Sequence, residues 1–135
     1  MAKKPVAFRE WYDPAKQTEE TIRRAAIPVE KIDGPVLLIS GGDDQMWPSA
    51  AFAEMVMRRL KEHGHPYPVR HLSYEGAGHS YSYPYFPTLM SRRTYIVGGN
   101  PRDDAHAVNQ SWPILLAFLQ EHLGTRWPRP RAQRH

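Results

Sequence analysis

Apolar residues gather along this chain in two short runs and two helical stripes. Pro35-Val36-Leu37-Leu38-Ile39-Ser40 is continuously apolar and β-favouring, a pattern that predicts a strand covered on both faces. Pro48-Ser49 then opens a segment with Phe52, Met55, Val56 and Leu60 at helical spacing and Gly64 as its stop, while Arg58, Arg59, Lys61 and Glu62 mostly face elsewhere. Pro66-Tyr67-Pro68 blocks helix and leads into Val69-Arg70-His71-Leu72-Ser73-Tyr74, a more polar run that predicts a strand near a sheet edge. The order strand, helix, strand implies a right-handed parallel crossover and therefore an α/β fold.

The flanks are less regular. Residues 1–25 form a poorly defined lead-in, in which Thr18 to Ala26 has the composition for two helical turns. Ile27 to Pro35 predicts an extended approach to the first strand, because each proline biases its predecessor away from helix. Ser80 to Asp104 is rich in Tyr, Pro and Gly without period and reads as a long loop of the kind kept for binding or lids. Asp103 or Asp104 then caps a helix whose apolar stripe is Trp112, Leu115, Leu116, Leu119 and Leu123, with Gly124 as its end. Pro113 should kink that helix or restart it. The folded portion is thus expected over 26–123, followed by a basic, disordered tail over 124–135.

Composition narrows the chemistry. A chain of 135 residues, 41% hydrophobic and 24% charged, suits one domain with a modest core. Zero cysteines removes disulfides, thiolate metal sites and a thiol nucleophile from this sequence. The net charge of +4 is carried by Arg126, Arg129, Arg131 and Arg134, so no patterned nucleic-acid surface is expected. No apolar run is long enough for a membrane span, and residues 1–5 are not followed by an apolar signal core, so a soluble, cytoplasmic location is expected.

Both strands run into turns that carry reactive side chains: Gly41-Gly42-Asp43-Asp44 after the first, Gly76-Ala77-Gly78-His79 after the second. Reactive groups of open α/β sheets collect beyond the carboxyl ends of parallel strands, so an acid and an imidazole placed this way form two thirds of a Ser-His-Asp-type triad. Asp44 is the candidate acid, with Asp43 its rival and loop hydrogen bonding the alternative use of either. His79 is the candidate base. Gly78-His79-Ser80-Tyr81-Ser82 imitates a nucleophile elbow, but the following Tyr83-Pro84-Tyr85-Phe86-Pro87 cannot begin the helix an elbow requires. His63-x-His65 lacks a third metal ligand, GxxxxGK phosphate cradles are absent, and no metal is expected. Trp47, Tyr83, Tyr85 and Phe86 are candidates to line an apolar channel.

These motifs resemble a known family, the carboxyl-terminal half of acyl-CoA thioester hydrolases and of bile acid-CoA:amino acid N-acyltransferases, which are α/β-hydrolases. The resemblance spans about Ala26 to Leu123 and rests on Ile27-Pro28-Val29-Glu30-Lys31, on Gly41 to Ser49, on Gly76-Ala77-Gly78-His79, on Pro84-Tyr85-Phe86-Pro87, and on Gly98-Gly99-Asn100-Pro101 with His106-Ala107. It implies that Asp44 is the triad acid, His79 the base, and an acyl thioester of coenzyme A the substrate, with no separate cofactor. It also implies that the nucleophile, Ser or Cys, and the oxyanion hole come from a complementing amino-terminal half that would precede Met1. The isolated chain is then expected to be inactive, as a partial α/β-hydrolase fold. The alternative is a non-catalytic module that pairs with another chain through an exposed sheet edge.

Overall fold

The computed structural model describes residues 6–79, 84 and 95–124. Its elements run, in order, α1 (Arg9–Tyr12), a 3-10 turn (Pro14–Lys16), α2 (Glu19–Ala25), a second 3-10 turn (Val29–Lys31), β1 (Val36–Gly41), α3 (Ser49–Glu62), β2 (Val69–Tyr74) and α4 (Pro101–Leu123). β1 and β2 pair in parallel, in register from Val36 opposite Val69 to Gly41 opposite Tyr74. Parallel neighbours need a crossover, and α3 supplies it.

α3 follows its apolar spacing, with Ala53 and Leu60 buried. Its end is a Schellman motif: Gly64 takes φ 64°, its amide donates to the Lys61 carbonyl (3.1 Å) and that of His65 to the Leu60 carbonyl (3.0 Å). α2 is capped by the Thr18 hydroxyl, which accepts from the Thr21 amide at 3.2 Å.

Four expectations change. Ile27 to Pro35 is not extended throughout, because Pro28, at φ −75°, starts a 3-10 turn; a fixed φ near that value serves a turn as well as a strand. The Arg59 guanidinium holds this turn against α3 through a forked bond to Glu30 (Arg59 Nη2 to Glu30 Oε1, 2.9 Å), and that bond keeps the Glu30 carboxyl down at about 2. β1 is less covered than expected: Val36, Ser40 and Gly41 are buried, whereas Leu37, Leu38 and Ile39, which alternate between the faces, are half-buried, so neither face of the two strands described is fully enclosed.

The loop before α4 ends sooner than its composition implies. Asn100 caps the helix, accepting from the amides of Arg102 (3.1 Å) and Asp103 (3.0 Å), and Pro101 fills the first position, where its missing N–H costs nothing. The inward stripe also differs. Asp104, Ala107, Val108 and Ser111 are buried, while Leu116 (48%), Leu119 (40%) and Leu123 (75%) face solvent. Small side chains at 107 and 111 allow this turn of the helix to pack closely, and no described element lies over the leucines. The helix runs without restart through Pro113, which is exposed. The tail over 125–135 lies outside the described residues.

Candidate acid–base site

The turn after β1 is fixed by its own side chains and by the turn after β2. Amides of Gly42 and Asp43 donate to the carbonyls of Tyr74 (2.8 Å) and Ala77 (3.0 Å). Asp44 Oδ1 accepts from the amides of Met46 (2.9 Å) and Trp47 (3.2 Å), an Asx-type closure that explains why an Asp stands here. Its other oxygen is left free to face outward from that closure. Asp44 Oδ2 lies 3.1 Å from His79 Nδ1, and only 3% of the acid's side chain is exposed, against 30% of the imidazole.

Chemistry assigns the proton. An ionised carboxylate only accepts, so a neutral imidazole bonded to it carries hydrogen on Nδ1 and keeps Nε2 as its acceptor. The ring stands edge-on to Trp47, with centroids 4.3 Å apart, which limits its rotation. A small cavity of about 190 Å³ opens here, lined by Asp44, Trp47, Ala77, His79, Asp104 and Ala107 among others. It is smaller than the pockets that enclose whole drug-sized ligands, of roughly 300 Å³ upward.

Asp43 serves differently from Asp44. It is exposed, its Oδ2 accepting from the Gly99 amide (2.7 Å) and its Oδ1 from Gln45 Nε2 (2.7 Å), the loop-bonding use foreseen for one of the two aspartates. Three backbone segments meet here at close quarters. Gly98, at φ 71°, lies where a Cβ would strike the Asp43 carbonyl, and a Cβ on Gly78 would strike the Gly98 backbone. The Val97 carbonyl accepts from the His79 amide (2.8 Å) and, at longer range, from the Gln45 amide (3.4 Å).

Two contributors escaped sequence reasoning. Asp104, buried at 2% exposure, accepts from the Gly78 amide at 2.8 Å and so steadies the residue before His79. Asn100-Pro101 was its signal: a helix starting there puts Asp104 on the same face as Ala107 and Val108. Arg9 donates to the Asp44 carbonyl at 2.6 Å, a long-range contact that no periodicity announces.

Serines near the site are occupied elsewhere. Ser40 Oγ is bonded to His71 Nε2 (2.7 Å) and Ser49 Oγ to the Gly41 carbonyl (3.1 Å). Ser80, Tyr83, Tyr85 and Phe86 lie outside the described residues. His63 Nδ1 and His65 Nε2 contact the carbonyls of Arg59 and Gly34, and among the described residues no three metal-binding side chains converge. None of the described helices is long and apolar enough to cross a membrane.

A buried carboxylate against a half-exposed imidazole, carried on turns beyond a parallel strand pair, is the layout of an α/β protein with its polar chemistry at the carboxyl ends of the strands. Residues 4–125 match the family described as BAAT / Acyl-CoA thioester hydrolase C terminal, and the chain belongs to it. It is 36% identical to the peroxisomal succinyl-coenzyme A thioesterase of Mus musculus, over 73% of this chain and 25% of that protein. Similarity extends to acyl-coenzyme A thioesterase 6 of Mus musculus (32% identity, 87% of this chain, 29% of the relative) and to acyl-coenzyme A amino acid N-acyltransferase 2 of Rattus norvegicus (34%, 86% and 28%). The chain therefore spans little more than a quarter of the length of these relatives.

Proposed function

We propose that this chain is the acid–base portion of an acyl-CoA thioester hydrolase or acyltransferase with α/β-hydrolase architecture, in which Asp44 orients His79. The observation that carries this reading is the 3.1 Å approach of a buried Asp44 Oδ2 to His79 Nδ1, together with membership of the family. A Ser or Cys from an amino-terminal part supplies the nucleophile, and amides there bind the oxyanion. His79 Nε2 removes the nucleophile's proton as its O or S attacks the thioester carbonyl. The carbon–sulfur bond then breaks, and coenzyme A thiol leaves with a proton returned from the imidazolium. Water or an amine, deprotonated by the same imidazole, releases the acyl group and restores the nucleophile. Asp44 stabilises the imidazolium while remaining ionised.

The test joins residues 1–135 to the amino-terminal remainder of one of the relatives and assays hydrolysis of acyl-CoA and transfer to amino acids. The joined protein is expected to turn over, with Asp44→Asn lowering kcat on the order of 10⁴-fold, as for other Ser-His-Asp enzymes. The chain alone should show no turnover. Hydrolysis by the chain alone that is lost in His79→Ala would overturn the missing-nucleophile part of the reading. A second reading, an interaction module, draws on the exposed Leu116, Leu119 and Leu123 and on a sheet that has two strands among the described residues. It is favoured if the two parts co-purify without activity.

A further inference from the structure

The turn that holds Asp44 has its amides satisfied from inside: Tyr74 and Ala77 carbonyls bind those of Gly42 and Asp43, and Asp44's own carboxylate binds those of Met46 and Trp47. Its carbonyls are gathered by a stretch far away in sequence. Amides of Phe8 and Arg9 both donate to the Gln45 carbonyl (3.1 and 3.0 Å). Arg9 Nη1 donates to the carbonyls of Asp44 (2.6 Å) and Gly42 (3.3 Å). The same stretch is anchored on its other side, where the Ile96 amide donates to the Val6 carbonyl (2.9 Å) and the Phe8 ring lies 5.9 Å from that of Tyr95.

We propose that Arg9 is a positioning residue for the Asp44–His79 pair. A guanidinium is a rigid fork of donors, and here one arm bridges two carbonyls on either side of Asp43. That bridge fixes the peptide plane that follows the acid and ties it to the plane between Gly42 and Asp43, one peptide further back than the acid's own amide, and so holds the direction of the Asp44 side chain. The bond to the Asp44 carbonyl is charge-assisted and half-buried, conditions under which a hydrogen bond is stronger than a neutral one in water. Arg9 touches neither the imidazole nor a reacting atom; it acts through the acid. The inference rests on the reading of Asp44 and His79 as an acid–base pair.

The experiment uses the 135-residue chain with ¹⁵N-labelled histidine, in wild type, Arg9→Lys and Arg9→Gln, and reads the ring nitrogens of neutral His79 by NMR. In wild type the Nδ1–H tautomer is expected to dominate. Arg9→Gln, neutral and too short to bridge both carbonyls, should lower the ratio of Nδ1–H to Nε2–H tautomer by about threefold or more, because the tautomer follows the bond made by the first nitrogen. Arg9→Lys, which keeps the charge and a donor, should retain most of it. Amide exchange at Leu38 and Ile39 in β1 serves as the control for overall folding and is expected to stay unchanged. Arg9→Gln and Arg9→Lys both with the wild-type ratio would overturn the role of Arg9 alone. A wild-type chain without Nδ1–H preference would instead overturn the acid–base pair itself.

Discussion

The cluster of turns around Asp44 and His79 and the carboxyl-terminal half of α4 treat their surroundings in opposite ways. Around the acid, backbone meets backbone: glycines at 78 and 98 remove the side chains that would hold the segments apart, Asp43 and Asp104 each accept from an amide on a neighbouring stretch, and Asp44 accepts from an amide of its own turn. Along the end of α4, large leucines at 116, 119 and 123 stand in solvent. The difference teaches that the Asp44–His79 contact is a construction of closely packed turns, formed within the described residues, whereas no described element covers the apolar surface. Specificity of position comes from hydrogen bonds at one end, and unburied area collects at the other.

The sharpest way to break this comparison is to remove the acid. Asp44→Ala removes a residue with 2% exposure and strands the part-buried Met46 and Trp47 amides and His79 Nδ1, and should cost about 2–3 kcal/mol in urea unfolding of the chain. A cost below about 0.5 kcal/mol, the size of an ordinary surface change, would mean that the turn stands without its carboxylate.

A smaller effect is expected at the Glu30–Arg59 bond, which ties the 3-10 turn to α3. Bonded to Arg59, the Glu30 carboxyl falls from 4.5 to about 2. A depressed folded value gives stability that is present above the unfolded value and lost as pH falls through the window from about 4.5 to about 2. Thermal melts followed across that window should show Glu30→Gln with a midpoint a few degrees lower than wild type at pH 7 and little different at pH 2. Solvent still reaches both side chains in part, and its screening keeps the effect small. Melts that differ equally at both pH values would remove the bond from the account.

The smallest effect belongs to the leucines. Leu119→Gln should change the stability of the chain by no more than about 0.5 kcal/mol, because the side chain is already wet and glutamine suits a helix. A loss above about 1.5 kcal/mol, the range for burying a leucine, would show this face to be packed after all.

Sequence reasoning reached those parts of the molecule governed by local rules. α3 and both strands were legible from apolar spacing and from prolines at 48, 66 and 68, and Gly64 announced the end of α3. Asp44 and His79 were legible because turn glycines precede each at a strand end, and the structure brings the two together. The start of α4 was misread: acids in a first helical turn look like caps, but Asn100 followed by Pro101 was the stronger signal. The buried stripe was misread because leucines outweigh alanine and serine in any hydropathy pattern, while close packing favoured the small residues at 107 and 111. Arg9 was invisible, since its partners lie 33 and 35 residues away.

One carbonyl has a consequence for how this site tolerates change. Because Val97 offers the same oxygen to the amides of Gln45 and His79, a shift of that strand-like stretch drags both turns together instead of prying them apart. The spacing between carboxylate and ring thereby follows the course of one stretch of main chain, and because Val97 is itself buried at 7% exposure, a redesign of this edge has to keep an apolar side chain of similar volume there.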